Sequence, residues 1–199
     1  MVLVMGMYTI NNDCSNEIII KNSKFICILK EIYSVSDVEK VLNNIKLEYK
    51  DATHYTYAYI IDNNKKFSDD NEPSGTAGSP IMQVLEKNNL NYVLCIVIRY
   101  FGGIKLGASG LVRAYSKSIS ECLKKTNLSK LIKGYNIDIS FSYDLSSKID
   151  YLLKDYQIIN KTYKDNITYT LNIEKNMLDT LSNINNINIK IIKETLLKK

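Results

Sequence analysis

The stretch YVLCIVIRYFGGIKLGASG, residues 92–110, runs from an unbroken apolar segment into a loop that holds Gly102, Gly103, Gly107 and Gly110. Residues 92–98 read as a strand buried on both faces, as in a sheet covered by helices, although periodicity alone does not separate such a run from a buried helix. The glycines permit close backbone approach and positive φ. The loop ends where a helix begins, with Ser109 as the expected cap and unpaired N–H groups facing outward, a place where an anion can dock. That helix is expected to run to about Lys125. Leu111, Tyr115, Ile119 and Cys122 form its apolar stripe, with Arg113, Lys117 and Lys124 on the opposite side.

Working outward, residues 17–33, EIIIKNSKFICILKEIY, read as two strands about a turn at Asn22 and Ser23. Val38, Val41, Leu42, Ile45 and Tyr49 then recur at helical spacing, and Ser36 with Glu39 forms a capping box at the start. ATHYTYAYIID, residues 52–62, is β-branched and aromatic and reads as a strand that ends in the polar turn DNNKK. Its Tyr55, Tyr57 and Tyr59 share one sheet face, which leaves open an aromatic platform for stacked bases. After the loop FSDDNEPSGTAGSPI, residues 67–81, Ser79 and Pro80 are expected to open a helix that stops at Asn88 and Asn89. Hairpin, helix, strand, helix, strand, helix describes a mixed α/β layer with helices covering a sheet.

From Tyr135 onward the pattern resets to strand, helix, hairpin, helix, strand, with the hairpin turning at Lys164, Asp165 and Asn166. That βαββαβ order is the ferredoxin-like split pattern. LSKLIKGYN, residues 128–136, reads as the joint. The expected fold class is therefore α+β, with an N-terminal domain over 1–132 and a ferredoxin-like domain over 133–199.

The composition, 45% hydrophobic and 24% charged, is that of an ordinary globular chain, and the abundance of Asn, Ile, Lys and Tyr follows AT-rich codon usage. The net charge of +5 permits contact with nucleic acid or another acidic surface, but no run of like charge concentrates it. Cys14, Cys27, Cys95 and Cys122 lie far apart in sequence and form no CxxC pair, and His54 is the single histidine. A reduced, cytoplasmic protein without metal or cofactor is expected. The apolar opening MVLVMGM has no preceding Lys or Arg, so the grammar of a signal peptide is missing. No stretch reaches the roughly 18 apolar residues that a membrane span needs.

Six of the eight glycines and both prolines lie between residues 73 and 110, so the two loops there are the candidate site. In the second loop, Arg99, Gly102, Gly103, Lys105, Gly107, Ser109, Gly110, Arg113 and Lys117 are the candidate binding residues. Three readings stay open for them: a tight turn beside a solvated basic face, a contact with RNA phosphate or an acidic partner, or a small phosphorylated ligand. GGIKLGASG is not a Walker loop, because no GK[ST] is present. In the first loop, Asp69, Asp70, Glu72, Ser74 and Thr76 can shape the loop through bonds to its own backbone or serve recognition by a partner. The catalytic alternative takes Asp69 and Asp70 for Mg²⁺ or acid/base work and Ser74 as a nucleophile with His54 as base, which makes a hydrolase. Against it, adjacent carboxylates in an extended chain point apart, and SGTAG lacks the GxSxG elbow.

ATHYTYAY, FSDDNEPSGTAGSPIMQVL and VIRYFGGIKLGASGLVRAYSKSI, in that order, closely resemble the IMPACT/YigZ family over roughly residues 17–125. The region 135–199 resembles, by pattern, the small C-terminal domain of bacterial members. Asn71 stands where the family usually has glycine in DDGEPSGT, and asparagine tolerates the left-handed region that such a turn needs. Residues 1–6 precede the family's usual start, which points to Met7 as initiator. The resemblance implies an N-terminal domain like the second domain of small-subunit ribosomal protein five and a C-terminal domain like the last domain of elongation factor G. Eukaryotic relatives modulate translation under amino-acid starvation by competing for a ribosome-associated activator of a stress kinase. The function so implied is a non-enzymatic binding protein linked to translation, whose partner is RNA, the ribosome or a ribosome-associated protein; a pure protein–protein adaptor is the third reading.

Overall fold

The computed structural model describes residues 6–199; residues 1–5, and with them most of the apolar opening read above, lie outside the described residues. The chain divides into a unit ending at Lys130 and a second unit from Leu131 to Lys199. No helix among the described residues is long and apolar enough to cross a membrane.

The first unit begins with β1 (Met7–Ile10), β2 (Cys14–Ile20) and β3 (Ser23–Glu31). Strands β2 and β3 close on the two-residue turn Lys21-Asn22, one residue earlier than the sequence pattern places it; both residues have positive φ, 45° and 64°, the conformation that matches the twist of a tight hairpin. Helix α1 (Val35–Glu48) follows. Its cap is Ser34, whose Oγ accepts from the Asp37 N–H at 3.3 Å, and Ser36 instead bonds the Ser34 hydroxyl. Two serines two residues apart compete for the same role, and only the first precedes the helical dihedrals.

Next come β4 (His54–Ile61), β5 (Asn64–Ser68), α2 (Gly78–Lys87), β6 (Val93–Tyr100) and α3 (Ala108–Leu123). The sheet order is β2-β3-β6-β4-β5, antiparallel throughout. Strand β6 is central and buried from Val93 to Arg99. Its continuous apolar run reflects cover on both faces of an antiparallel sheet. Val93, Cys95 and Val97 join Phe25, Leu29, Ala58 and the inner stripes of α2 and α3, so Leu94, Ile96 and Ile98 point to the opposite face. Tyr55, beside Ile98 in register, lies on that opposite face under α1: its hydroxyl donates to the Tyr49 carbonyl at 2.6 Å. Tyr57 and Tyr59 stack with centroids 6.5 Å apart; Tyr59 is buried, at 5% exposed, while Tyr55 and Tyr57 are half-buried.

NKKFS forms the edge strand β5 where the sequence pattern suggests only a polar turn; the turn itself is two residues, Asp62-Asn63. Charged lysines on an exposed edge discourage pairing with another chain, and the same lysines erase the strand signature. The four cysteines, remote in sequence, also gather. Cys14 and Cys122 approach to 3.5 Å between sulfurs, Cys27 and Cys95 to 3.6 Å, and all four are free thiols. Burial, with the neighbouring Cys122, pushes the Cys14 thiol up to about 12, so it stays protonated at neutral pH.

The second unit contains most of β7 (Leu128–Phe141), then α4 (Ser146–Leu152), β8 (Ile158–Tyr163), β9 (Ile167–Glu174), α5 (Lys175–Ser182) and β10 (Ile187–Lys198). The antiparallel order β10-β7-β9-β8 is the βαββαβ arrangement. Ile137, Ile139 and Phe141 of β7 pack with Tyr169, Leu171 and Ile173 of β9 beneath Ile149 and Leu181 of the two helices. The residues read as a joint belong to β7. Gly134 is a strand position whose Cβ would meet Leu197 at 2.4 Å, so it serves close packing of β10 instead of flexibility.

Candidate functional site

The first loop, residues 69–77, is organised by its acids. Asp70 and Asn71 both have positive φ, 42° and 65°, and this places the three carboxylates of Asp69, Asp70 and Glu72 on different partners. The Asp69 carboxylate accepts from the N–H groups of Gly75 (2.8 Å), Ala77 (3.0 Å) and Gly78 (2.8 Å). It thereby caps α2 from nine residues upstream of its first residue, and Ser79, already inside the helix that starts at Gly78, makes no cap. Asp70 accepts from the Tyr55 N–H at 2.6 Å, and its backbone carbonyl lies 2.7 Å from His54 Nδ1. The Thr76 hydroxyl donates to the Pro73 carbonyl at 2.6 Å, while Ser74 is exposed.

Glu72 turns inward. It is 7% exposed, and its Oε1 accepts from Arg99 Nη1 at 2.6 Å and from the Tyr115 hydroxyl at 2.7 Å. His54 Nε2 stands 3.8 Å from the same oxygen. Arg99 lies between the rings of Phe25 and Phe101, at 5.4 and 5.5 Å from their centroids. Burial first, and then the Glu72 carboxylate, pushes the Tyr115 hydroxyl far up, which keeps it a hydrogen-bond donor. Four elements, β4, the first loop, β6 and α3, thus meet in one buried polar network, in which the Arg99 Nη atoms bond Glu72 and Ser23 while its buried Nε has no hydrogen-bond partner.

The second loop, residues 101–107, leaves this network at Arg99. Ser23 Oγ accepts from Gly102 N–H at 3.2 Å, and a Cβ at Gly102 would fall 2.0 Å from the Asn22 carbonyl carbon, so that glycine is required by the crossing of the β2–β3 turn. Gly103 and Gly107 hold positive φ of 83° and 74°. Gly107, not Ser109, is the N-cap of α3, and a Cβ at Gly110 would fall 3.0 Å from the Leu106 Cβ. Ser109 is exposed, as are Lys105, Arg113 and Lys117, whereas Leu111, Tyr115, Ile119 and Cys122 are buried.

The two loops line one cavity of about 430 Å³. Glu72 and Pro73 come from the first loop, Phe101, Lys105, Leu106 and Gly107 from the second, with His54, Arg99 and Leu111 completing the wall. Of the binding residues read from the sequence, Arg99, Lys105 and Gly107 line it; Arg99 is 5% exposed and its charge is balanced by Glu72, so it organises the site from within. Of the four hydrolase residues, His54 lines the cavity. Asp69 and Asp70 are committed to backbone N–H groups and Ser74 is not among the lining residues, so the structure does not gather the four around it. Tyr115 and Leu111 belong to the site beyond their reading as an apolar stripe; the hydroxyl of Tyr115, in a stripe otherwise without hydroxyls, is the signal that marks it.

Residues 21–123 match the family described as the Impact N-terminal domain. The IMPACT family member YvyE of Bacillus subtilis is 36% identical over 185 residues, 90% of this chain and 85% of that protein. The IMPACT family member YigZ of Escherichia coli is 32% identical over 152 residues, 73% of this chain and 74% of that protein. A crystal structure of a protein described as hypothetical superposes with a TM-score of 0.72 at 24% identity, covering 96% of this chain and 99% of that one.

Proposed function

The chain belongs to the IMPACT family, and from that premise we propose that it is a cytosolic binding protein of translation or its regulation, which contacts RNA on the ribosome through the second loop. The observation that carries this reading is the loop itself. Phe101 and Ile104 are 45% and 46% exposed next to the exposed Lys105, at the N-terminus of a helix that continues outward with exposed Arg113 and Lys117. Exposed apolar tips combined with exposed cations suit a surface that meets phosphates and bases together. Gly102, required where the loop crosses the β2–β3 turn, holds the start of the loop in place, so little ordering is lost on contact.

The test is co-sedimentation with ribosomal subunits over a salt series. The double variant Arg113→Glu/Lys117→Glu is expected to lose affinity at low salt and to lower the slope of log K against log salt by about 2, one unit for each lost phosphate contact. Both side chains are exposed, so the fold is preserved. Unchanged affinity and slope would contradict the reading, and binding that survives nuclease treatment would assign the partner to protein.

A further inference from the structure

The cavity of about 430 Å³ beneath the second loop collects hydrogen-bond donors that the protein itself leaves unused. Gly107 and Ala108 bring the N-terminus of α3 to its wall, and the first bond of that helix runs from the Leu111 N–H to the Gly107 carbonyl at 2.9 Å. The N–H groups of Ala108, Ser109 and Gly110 therefore have no acceptor among the described residues: Gly107 has no side chain to cap them, and the first turn contains no acid. Partial positive charge gathers at such an end. Lys105, exposed on the same wall and without an ion pair among the described residues, adds a full charge.

An independent observation on Arg99 points the same way. Its side chain is 6% exposed and belongs to the cavity wall. Nη1 donates to Glu72 at 2.6 Å and Nη2 to Ser23 at 3.4 Å, but the Nε–H, shielded from water, has no hydrogen-bond partner. A buried donor without an acceptor carries a free-energy penalty, which a ligand oxygen beside it removes. The rest of the wall is largely apolar, with Pro73, Phe101, Leu106 and Leu111, and the volume lies in the range that encloses a small organic molecule. Charge narrows the choice further. One lysine and one helix end balance a single negative charge, while the Glu72 carboxylate in the same wall disfavours a doubly charged head such as phosphate. We infer that this cavity binds a small organic monocarboxylate, its head held by the start of α3, Lys105 and Arg99 Nε and its apolar body packed against Phe101, Leu106 and Leu111. The inference goes beyond the RNA contact, which uses the outer surface of the loop and not the cavity under it.

Hydrocinnamate is the probe, titrated into the full chain by NMR and calorimetry, with hydrocinnamamide, acetate and inorganic phosphate as separate arms. One site is expected for hydrocinnamate, with the amide, which lacks the charge, and acetate, which lacks the apolar body, each at least about tenfold weaker. The backbone amide resonances of Ala108, Ser109 and Gly110 and the Nε–H resonance of Arg99 are expected to move on saturation. Lys105→Ala and Ser109→Asp are each expected to weaken binding by several-fold; the aspartate places a competing carboxylate in the first turn, where an acid also favours the helix, and both positions are exposed, so the fold is kept. An amide that binds as tightly as the acid, acetate or phosphate that binds as well as hydrocinnamate, absence of binding, saturation without movement of those resonances, or normal binding by both variants would each overturn the inference. None of these results alters the ribosome co-sedimentation of the unliganded chain, so the two claims fail separately.

Discussion

Replacing Glu72 with alanine is expected to destabilise the first unit by about 3–5 kcal/mol, because the Arg99 charge is then left buried without its counter-ion. Arg99 is 5% exposed and held between two phenylalanine rings, so it has no short route to solvent. The Tyr115 hydroxyl loses its acceptor in the same step. The double variant Glu72→Leu/Arg99→Met removes both charges and is expected to recover most of the loss, since a well-packed apolar pair replaces a buried ion pair at little cost. Urea unfolding of the three proteins checks this. A single variant within 1 kcal/mol of the parent would show that Arg99 finds another partner and that the network is not the organising element described here.

Asp69→Ala ranks second. One carboxylate satisfies three backbone N–H groups at the start of α2, a helix with no side-chain cap of its own. Loss of the charge-assisted bonds is expected to cost about 2–4 kcal/mol, partly relieved where water reaches Gly75. Asp69→Asn, which keeps one acceptor oxygen, is expected to lose about half as much. The urea midpoint measures the cost, and proteolysis at the exposed residues Pro73 to Gly75 should accelerate in step. Equal stability of all three proteins would mean that the loop is held by something other than this acid. The outcome also bears on catalysis, since an acid that serves as a helix cap is not available to hold a metal or share a proton.

Much of this architecture was legible in the residue pattern because it depends on local features. The β2–β3 hairpin, the apolar run of β6, the stripe of α3 and the βαββαβ alternation all follow from period and turn chemistry within short windows. Strand β5 was hidden because its edge position rewards lysine over alternation. The cap of α1 was displaced because Ser34 and Ser36 carry equal local signals. The polar network was hidden for a different reason: Glu72 is 27 positions from Arg99 and 43 from Tyr115, and nothing local marks a charge that will be buried against a distant one. Arg99 therefore looked like a surface cation. The concentration of glycines did point to the two loops, but it conveyed where the backbone bends and not that Gly102 exists to let the β2–β3 turn pass.

A photocrosslinking residue placed at Ile104, on the exposed tip of the second loop, tests the central claim most directly, with the same residue at Tyr163, exposed in the second unit, as control. After irradiation of the ribosome-bound protein, the account predicts adducts at position 104 that carry RNA and disappear on nuclease treatment. Adducts from position 163 alone, or adducts from 104 that contain only protein, would contradict it.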